Sequence, residues 1–265
     1  MTAPQLSDLE ALARGAGEIL RQGYSPRPGY ERRVQVQYKS EIDLVTEYDR
    51  RSEAFLLGEI RSRFPGHRIL AEESGISAGG EDCMWYIDPL DGTVNYAHGV
   101  PVFCVSIAYA QYGTVQLGLV YDPMREECFS AERGAGAWLN GEPLHVSAAP
   151  DLNSSLMVTG FPYDIRHNPQ NNLDHYARFA LQTQGVRRLG SAALDLCYIA
   201  AGRFDGYWEI RISPWDTAAG GLIAEQAGAR VTNLAGGADY LTPPCSILAA
   251  NPDVHAQMLQ VLNSS

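Results

Sequence analysis

The sequence predicts a layered α/β fold, an α+β sandwich of helices on sheets, on three observations. Helix-spaced apolar positions follow capping signals near the start, short apolar strands separated by Gly-containing turns fill residues 68 to 131, and strand-like and helix-like segments alternate from Ser155 onward. Such alternation calls for a sheet covered by helices on its faces. The polar stretch from Ser147 to Ser154 separates the two patterns, which divides the chain into an α+β half, 1–150, and an α/β half, 151–265.

Taken in order, Ser7 with Glu10 reads as a capping box, and Leu9, Leu12, Ala16, Ile19 and Leu20 follow at helical spacing. A stretch around Pro26 to Gly29 interrupts, and the polar segment through Lys39, Ser40, Asp43 and Leu44 predicts a hairpin or a mobile loop. Thr46 and Asp49 predict the cap of a second helix, whose Phe55, Leu56, Ile60 and Phe64 face inward before Pro65-Gly66 stops it. Strands are expected at 68 to 71, 84 to 88, 102 to 111, 114 to 121 and 126 to 131, with Tyr112-Gly113 and Asn140-Gly141 as turns. The second half predicts a strand at 156 to 159, a helix near 171 to 184 and a strand at 185 to 189. A helix at 191 to 201, a strand at 204 to 210 and a helix at 214 to 228 continue it. Strands near 230 to 234 and 246 to 250 precede a last helix from Pro252.

Composition narrows the classes of function. The chain has 265 residues, 45% of them hydrophobic, enough for a substantial core. Its 31 acids against 20 bases give a net charge of −11, which disfavours nucleic acid and suits a protein that gathers carboxylates around divalent cations. Five cysteines without CxxC spacing suggest neither a disulfide framework nor a thiolate zinc site, and point to a reducing cytoplasm. No basic leader and no run of ~20 apolar residues is present, so a soluble protein without a membrane partner is expected. The six histidines lack HxH or HExxH spacing, and no Ser or Cys stands in a nucleophile elbow. Covalent catalysis is not favoured, and the tryptophans read as core or interface.

The most informative run is Trp85-Tyr86-Ile87-Asp88-Pro89-Leu90-Asp91-Gly92-Thr93-Val94-Asn95. Carboxylates at the end of a strand make a hard-oxygen cage for Mg²⁺, and a Gly-Thr turn opening a helix offers backbone N–H groups to an anion. Alone, Asp-Pro and Asp-Gly read equally well as turn formers. Two further apolar segments end in acids: Arg68 to Ala71 runs into Glu72-Glu73-Ser74-Gly75, and Tyr207 to Ile210 leads to Ser213-Pro214-Trp215-Asp216.

In order, AEES (71 to 74), IDPLDGTVN (87 to 95) and PWDTAAG (214 to 220) resemble the three signatures of the inositol monophosphatase family. LVYDPMREECFSAERGAGAWLNG (119 to 141) and RRLGSAALDLCYIAAGRFDGYWE (187 to 209) are similar to its bacterial members, so the likeness covers almost the whole chain. Ser191 stands where some members have Thr, and Val94 where many have a second Thr; neither change touches a metal ligand.

The resemblance implies sugar-phosphatase-like αβαβα layers, with metal binding in the first half and substrate recognition in the second. It implies two or three Mg²⁺ ions, the first on Glu72, Asp88 and the carbonyl of Leu90, the second on Asp88, Asp91 and Asp216, with Asp88 bridging. Thr93, with Asp49 behind it, would orient the attacking water, and Glu72 counts with them as catalytic. Gly92 and Thr93 would bind the phosphate; Gly190, Ser191, Ala192, Glu209 and Asp216 would meet a sugar-like alcohol. Lys39 is a weaker candidate for the phosphate. Bland readings stand beside these: a surface acid for Glu72, capping for Asp49 and Ser191, first-turn dipole stabilisation for Asp216, helix packing for Ala192, a strand-end acid for Glu209.

Phosphomonoester hydrolysis needs phosphoryl charge neutralised, a water readied and the leaving alkoxide stabilised. With those needs met by the acids, the resemblance implies Mg²⁺-dependent hydrolysis of myo-inositol monophosphate as the expected activity. Fructose 1,6-bisphosphate, histidinol phosphate and 3′-phosphoadenosine nucleotides are alternative substrates. A non-catalytic regulatory protein on the same scaffold is the alternative class. Resemblance further implies Li⁺ sensitivity and a homodimer, for which the apolar segments 102 to 120 and 156 to 163 offer either interface or core.

Overall fold

The computed structural model describes residues 3–25, 36–39 and 44–264. The Pro26 to Gly29 stretch, Ser40 and Asp43 lie outside the described residues. In chain order the elements are α1 (Leu6–Gly23), β1 (Val36–Tyr38), β2 (Leu44–Thr46), α2 (Glu47–Arg63), β3 (His67–Ala71), β4 (Gly75–Ile76), β5 (Gly80–Asp91) and α3 (Thr93–His98). They continue with β6 (Cys104–Gln111), β7 (Thr114–Asp122), β8 (Glu127–Glu132), β9 (Gly136–Leu139), β10 (Glu142–Pro143), β11 (Leu156–Thr159), α4 (Leu173–Ala180), β12 (Gly185–Arg187) and α5 (Ala192–Ala200). β13 (Gly206–Glu209), α6 (Pro214–Gln226), β14 (Arg230–Thr232), β15 (Ile247–Ala250) and α7 (Pro252–Asn263) complete the chain.

Two sheets carry the fold. The larger has eight strands in the order β10-β9-β8-β7-β6-β5-β3-β4, antiparallel except for β3 beside β5. In the smaller, ordered β12-β11-β13-β15-β14, β11 runs parallel to both neighbours and β15 antiparallel to both of its own. Helices α1 and α2 cover one face of the large sheet, α5 and α6 fill the space between the sheets, and α4 and α7 cover the far face of the small one. The expected five layers are present in that order.

Strand alternation builds both cores from one sheet. Val105, Ile107 and Tyr109 of β6 pack with Leu9, Leu12 and Leu56 under α1 and α2, while Cys104, Ala108 and Ala110 pack with Ala193, Leu196 and Ala219 of α5 and α6. Residues 102 to 120 are thus largely core, which answers the interface alternative for that segment.

Local signals held with shifts of a few residues. At α1 the cap is Gln5, whose N–H donates to Asp8 Oδ2 at 2.9 Å; Glu10 is not its partner and instead pairs with Arg14. The cap lies two residues upstream of Ser7, and Leu6 already packs on the core. At α2 the cap is as expected: Thr46 Oγ1 accepts from the amides of Tyr48 and Asp49, and Asp49 Oδ2 accepts from the Thr46 N–H at 2.9 Å. β5 is much longer than its apolar stretch, because pairing with β6 carries it through Asp91.

Candidate active site

One irregularity in β5 brings two of the acids together. Residues three apart on a regular strand face opposite sides. Here Asp88 pairs with Ser106 and Asp91 with Cys104, so three residues of β5 span two of β6, and the bulge at Pro89-Leu90 returns Asp91 to the face of Asp88. That face meets α5 and α6. Leu90 turns the other way, fully buried under α1 and α2, and its carbonyl accepts from Thr93 Oγ1 at 3.0 Å.

The two other acids arrive from neighbouring elements. Glu72 follows β3, which lies parallel beside β5, and Asp216 sits in the first turn of α6, its Oδ2 accepting from the Ser213 N–H at 2.9 Å. Capping and cavity lining coexist at Asp216. All four carboxylates border one cavity of about 480 Å³, together with Lys39, Leu90, Gly92, Thr93, Gly190, Ser191, Ala192 and Glu209. Of the site residues named from sequence, Asp49 alone does not line it. Fully buried, Asp49 stands one bond behind: Thr93 Oγ1 is 2.9 Å from Asp49 Oδ1. Thr93 has one hydroxyl hydrogen, which serves either Asp49 or the Leu90 carbonyl at a time.

Gly92 makes the turn possible. Its φ is +98°, and a Cβ there would lie 2.8 Å from the Val102 carbonyl oxygen, so no other residue fits.

Electrostatics at the cavity are dominated by crowded acids. Burial first, then repulsion from Glu72, Asp91 and Asp216, holds the Asp88 carboxyl well above its ordinary pKa. Asp216 is raised likewise by burial, Asp91 and Glu72. Burial pushes Glu72 up to about 7 despite Lys39, whose ammonium is 2.9 Å from Glu72 Oε1 and also grips Glu73. Each acid is tied by a donor: Asp88 Oδ1 by the Leu90 amide at 3.0 Å, and Asp91 Oδ2 by Ser191 Oγ at 2.8 Å and the Ala193 amide at 2.7 Å. Among the described residues no three acid, His or Cys side chains converge on a single point as they stand.

The donor set nevertheless fits a hard divalent cation. It is all oxygen, it is buried, its acids are raised by one another, and a cationic side chain already stands against Glu72. A stability prediction follows. Carboxyls raised from 4.5 to about 7, as at Glu72 and Glu209, bind protons more tightly in the folded protein, so metal-stripped protein loses stability as pH rises through that window. Mg²⁺ engages the ionised acids, so it should raise Tm more at about pH 8 than at about pH 5. Thermal melts at both values decide it, and equal gains would contradict the cation site.

On the opposite wall the start of α5 engages the acid cluster. The amides of Ala193 and Leu194 are not free for substrate hydroxyls: the first donates to Asp91 and the second to Ser191 Oγ at 3.4 Å, and the Ser191 hydroxyl itself holds Asp91. The positive end of α5 therefore stabilises an acid of the cluster. Glu209 faces the cavity as expected, with Tyr207 Oη donating to its Oε1 at 2.9 Å. Gly160 leaves its space: a Cβ there would lie 1.8 Å from Glu209 Oε1.

Sequence reasoning missed Asp195, Arg188, Arg211 and the Phe161 to Asp164 turn, all of which line the cavity. It also missed Trp215, read as core or interface. Only its place beside Asp216 in the third motif hinted otherwise. The position of Glu53, whose Oε2 accepts from the Glu73 amide at 2.9 Å and steadies the Glu72 turn, carries no signal in spacing. Among the described residues no helix is long and apolar enough to cross a membrane.

The profile of the inositol monophosphatase family matches residues 4–265. The Nus factor SuhB of Escherichia coli (strain K12) is 41% identical over 257 residues, covering 97% of this chain and 94% of the relative. That of Pseudomonas aeruginosa is 43% identical over 245 residues, covering 90% and 88%. Among solved structures, inositol monophosphatase from Anabaena is 42% identical with a TM-score of 0.85, covering 97% of this chain and 94% of that one. The extragenic suppressor protein SuhB from Bartonella henselae is 36% identical with a TM-score of 0.90, covering 98% of each chain.

Proposed function

The chain belongs to the inositol monophosphatase family, and from that premise we propose that it hydrolyses myo-inositol monophosphate to inositol and inorganic phosphate with Mg²⁺. The observation that carries this reading is the meeting of Glu72, Asp88, Asp91 and Asp216 with the Gly92-Thr93 turn and Glu209 around one cavity. Two or three Mg²⁺ ions, held by those acids and the Leu90 carbonyl with Asp88 shared, would supply charge neutralisation, water activation and leaving-group stabilisation.

The chain's own groups do the rest. Gly92 and Thr93 place main-chain N–H groups at a helix start for the phosphoryl oxygens. Thr93, its proton engaged by Asp49 or Leu90, keeps lone pairs to accept from a water on the cavity side, and so orients it. Glu209 accepts from a substrate hydroxyl, and the Tyr207 bond fixes its direction. Gly190 and Ala192 line the same cavity, where the alcohol would sit.

The relatives from Escherichia coli and Pseudomonas aeruginosa carry the name Nus factor rather than that of a phosphatase. Glu72, Asp88, Asp91 and Asp216 are all present around the cavity, which supports catalysis over a purely regulatory role. A net charge of −11 supports a small-molecule substrate over nucleic acid. The reading includes the cytoplasm, supported by five buried free thiols, and a homodimer, by family likeness.

A phosphate-release screen with and without Mg²⁺ tests the substrate. Inositol monophosphate should be turned over faster than fructose 1,6-bisphosphate, histidinol phosphate or a 3′-phosphoadenosine nucleotide; a different order would overturn the assignment. Glu209→Gln should change this preference, as should Gly160→Ala. The alanine meets the Glu209 carboxylate rather than backbone, and a thermal melt checks that the variant folds. Each is expected to cut the kcat/KM ratio of inositol phosphate to an aryl phosphate by about tenfold. Equal losses on both substrates would contradict a polyol contact at Glu209.

A further inference from the structure

Asp195 is the one acid in the helix segment Ala192-Ala193-Leu194-Asp195-Leu196-Cys197-Tyr198-Ile199-Ala200, and every other member from Ala193 onward is apolar and buried. It is only 1% exposed, yet it lines the cavity, three residues and so one helical turn along from Ala192 on the same face. Its Oδ1 is buried with no hydrogen-bond partner. Buried polar atoms are nearly always paired, so a carboxyl left unpaired at the wall of a cavity points to a partner that enters the cavity.

The neighbours define that partner. Glu209, an acceptor, lies close enough to act on Asp195, and so does Asp91; burial first, then these two, raises the Asp195 pKa well above its ordinary value, with Arg188 opposing. Tyr207 is not spare, because its hydroxyl already donates to Glu209. A carboxyl that holds its proton both donates and accepts, whereas Glu209 when ionised only accepts. Two such groups lining one cavity match two hydroxyls of one alcohol, one bonded to each.

We infer that Asp195 is a specificity-determining contact to the alcohol part of the substrate, pairing with a ring hydroxyl other than the one that Glu209 receives and so sharpening the preference for the polyol over a simple alcohol. The inference rests on the polyol-phosphate reading above. It differs from a structural role for Asp195, which would affect all substrates alike.

The test compares kcat/KM for wild type, Asp195→Leu and Asp195→Asn on inositol monophosphate, its monodeoxy analogues and p-nitrophenyl phosphate, with thermal melts of each protein. Asp195→Leu should lower the ratio of inositol phosphate to aryl phosphate by at least about tenfold, mostly through KM. On one monodeoxy analogue, wild type and variant should agree within about twofold, since the contacted hydroxyl is already gone. If the leucine protein does not fold, Asp195→Asn carries the test with a drop of about threefold, because an amide still donates and accepts. A wild type without preference for polyol phosphates overturns the substrate reading and this inference together. A wild-type preference that survives substitution at Asp195 overturns the inference alone.

Discussion

Asp91→Asn and Asp216→Asn should each lower kcat by at least about 10²-fold, and Asp88→Asn by more, with the protein still folded. The asparagine keeps the shape and one acceptor oxygen but removes the charge. At Asp91 that choice matters, because Oδ2 takes the Ser191 hydroxyl and the Ala193 amide and so ties β5 to the start of α5. Asp91→Ala would leave that amide buried and unpaired, at about 1–3 kcal/mol, and mix a folding defect with a catalytic one. Asp88 is pushed up by three other acids, Glu72, Asp91 and Asp216, and in the proposed arrangement it would be shared by two ions. Its loss should therefore exceed the other two. Initial rates at saturating Mg²⁺, with thermal melts within a few degrees of wild type, measure this; near-wild-type kcat for any of the three would remove that residue from the metal set.

Thr93→Val should lower kcat by about 10²-fold or more with little change in KM, while Thr93→Ser keeps most activity. Valine has the same shape without the hydroxyl, so the water loses its acceptor, and the buried Asp49 loses the 2.9 Å donor at Oδ1. Serine restores both. Asp49→Asn is a poorer probe, because Asp49 also accepts from Thr46 at the cap of α2 and its replacement disturbs that helix start. A Thr93→Val enzyme with unchanged kcat would show that water is oriented by other groups.

Most of the site was legible because its acids stand at the ends of apolar strands and next to turn residues, where spacing is local. Glu72, Asp88, Asp91 and Asp216 all border the cavity as read. What spacing did not convey was how Asp88 and Asp91 come to share a face. Alternation predicts opposite faces, and only the bulge at Pro89, a residue that strands tolerate at bulges, reverses this. The pairing at the start of α5 was not legible either, because an amide's partner is a tertiary fact: Asp91 takes the Ala193 N–H from across the fold. Asp195 was legible in principle as a lone acid in an apolar, buried helix. Gly160 was not, since its role is the space it leaves for Glu209 on another strand. At the termini of elements, tertiary pairing moved boundaries, as at β5, which β6 extends through Asp91.

The central claim is that this acid cluster works through a bound divalent metal. Protein stripped exhaustively with chelator, its metal content checked by elemental analysis, should release phosphate from inositol monophosphate at background rate. Activity should return on titration with Mg²⁺ in wild type, and not in Asp88→Asn. Undiminished phosphate release from protein shown to be free of metal would contradict the account.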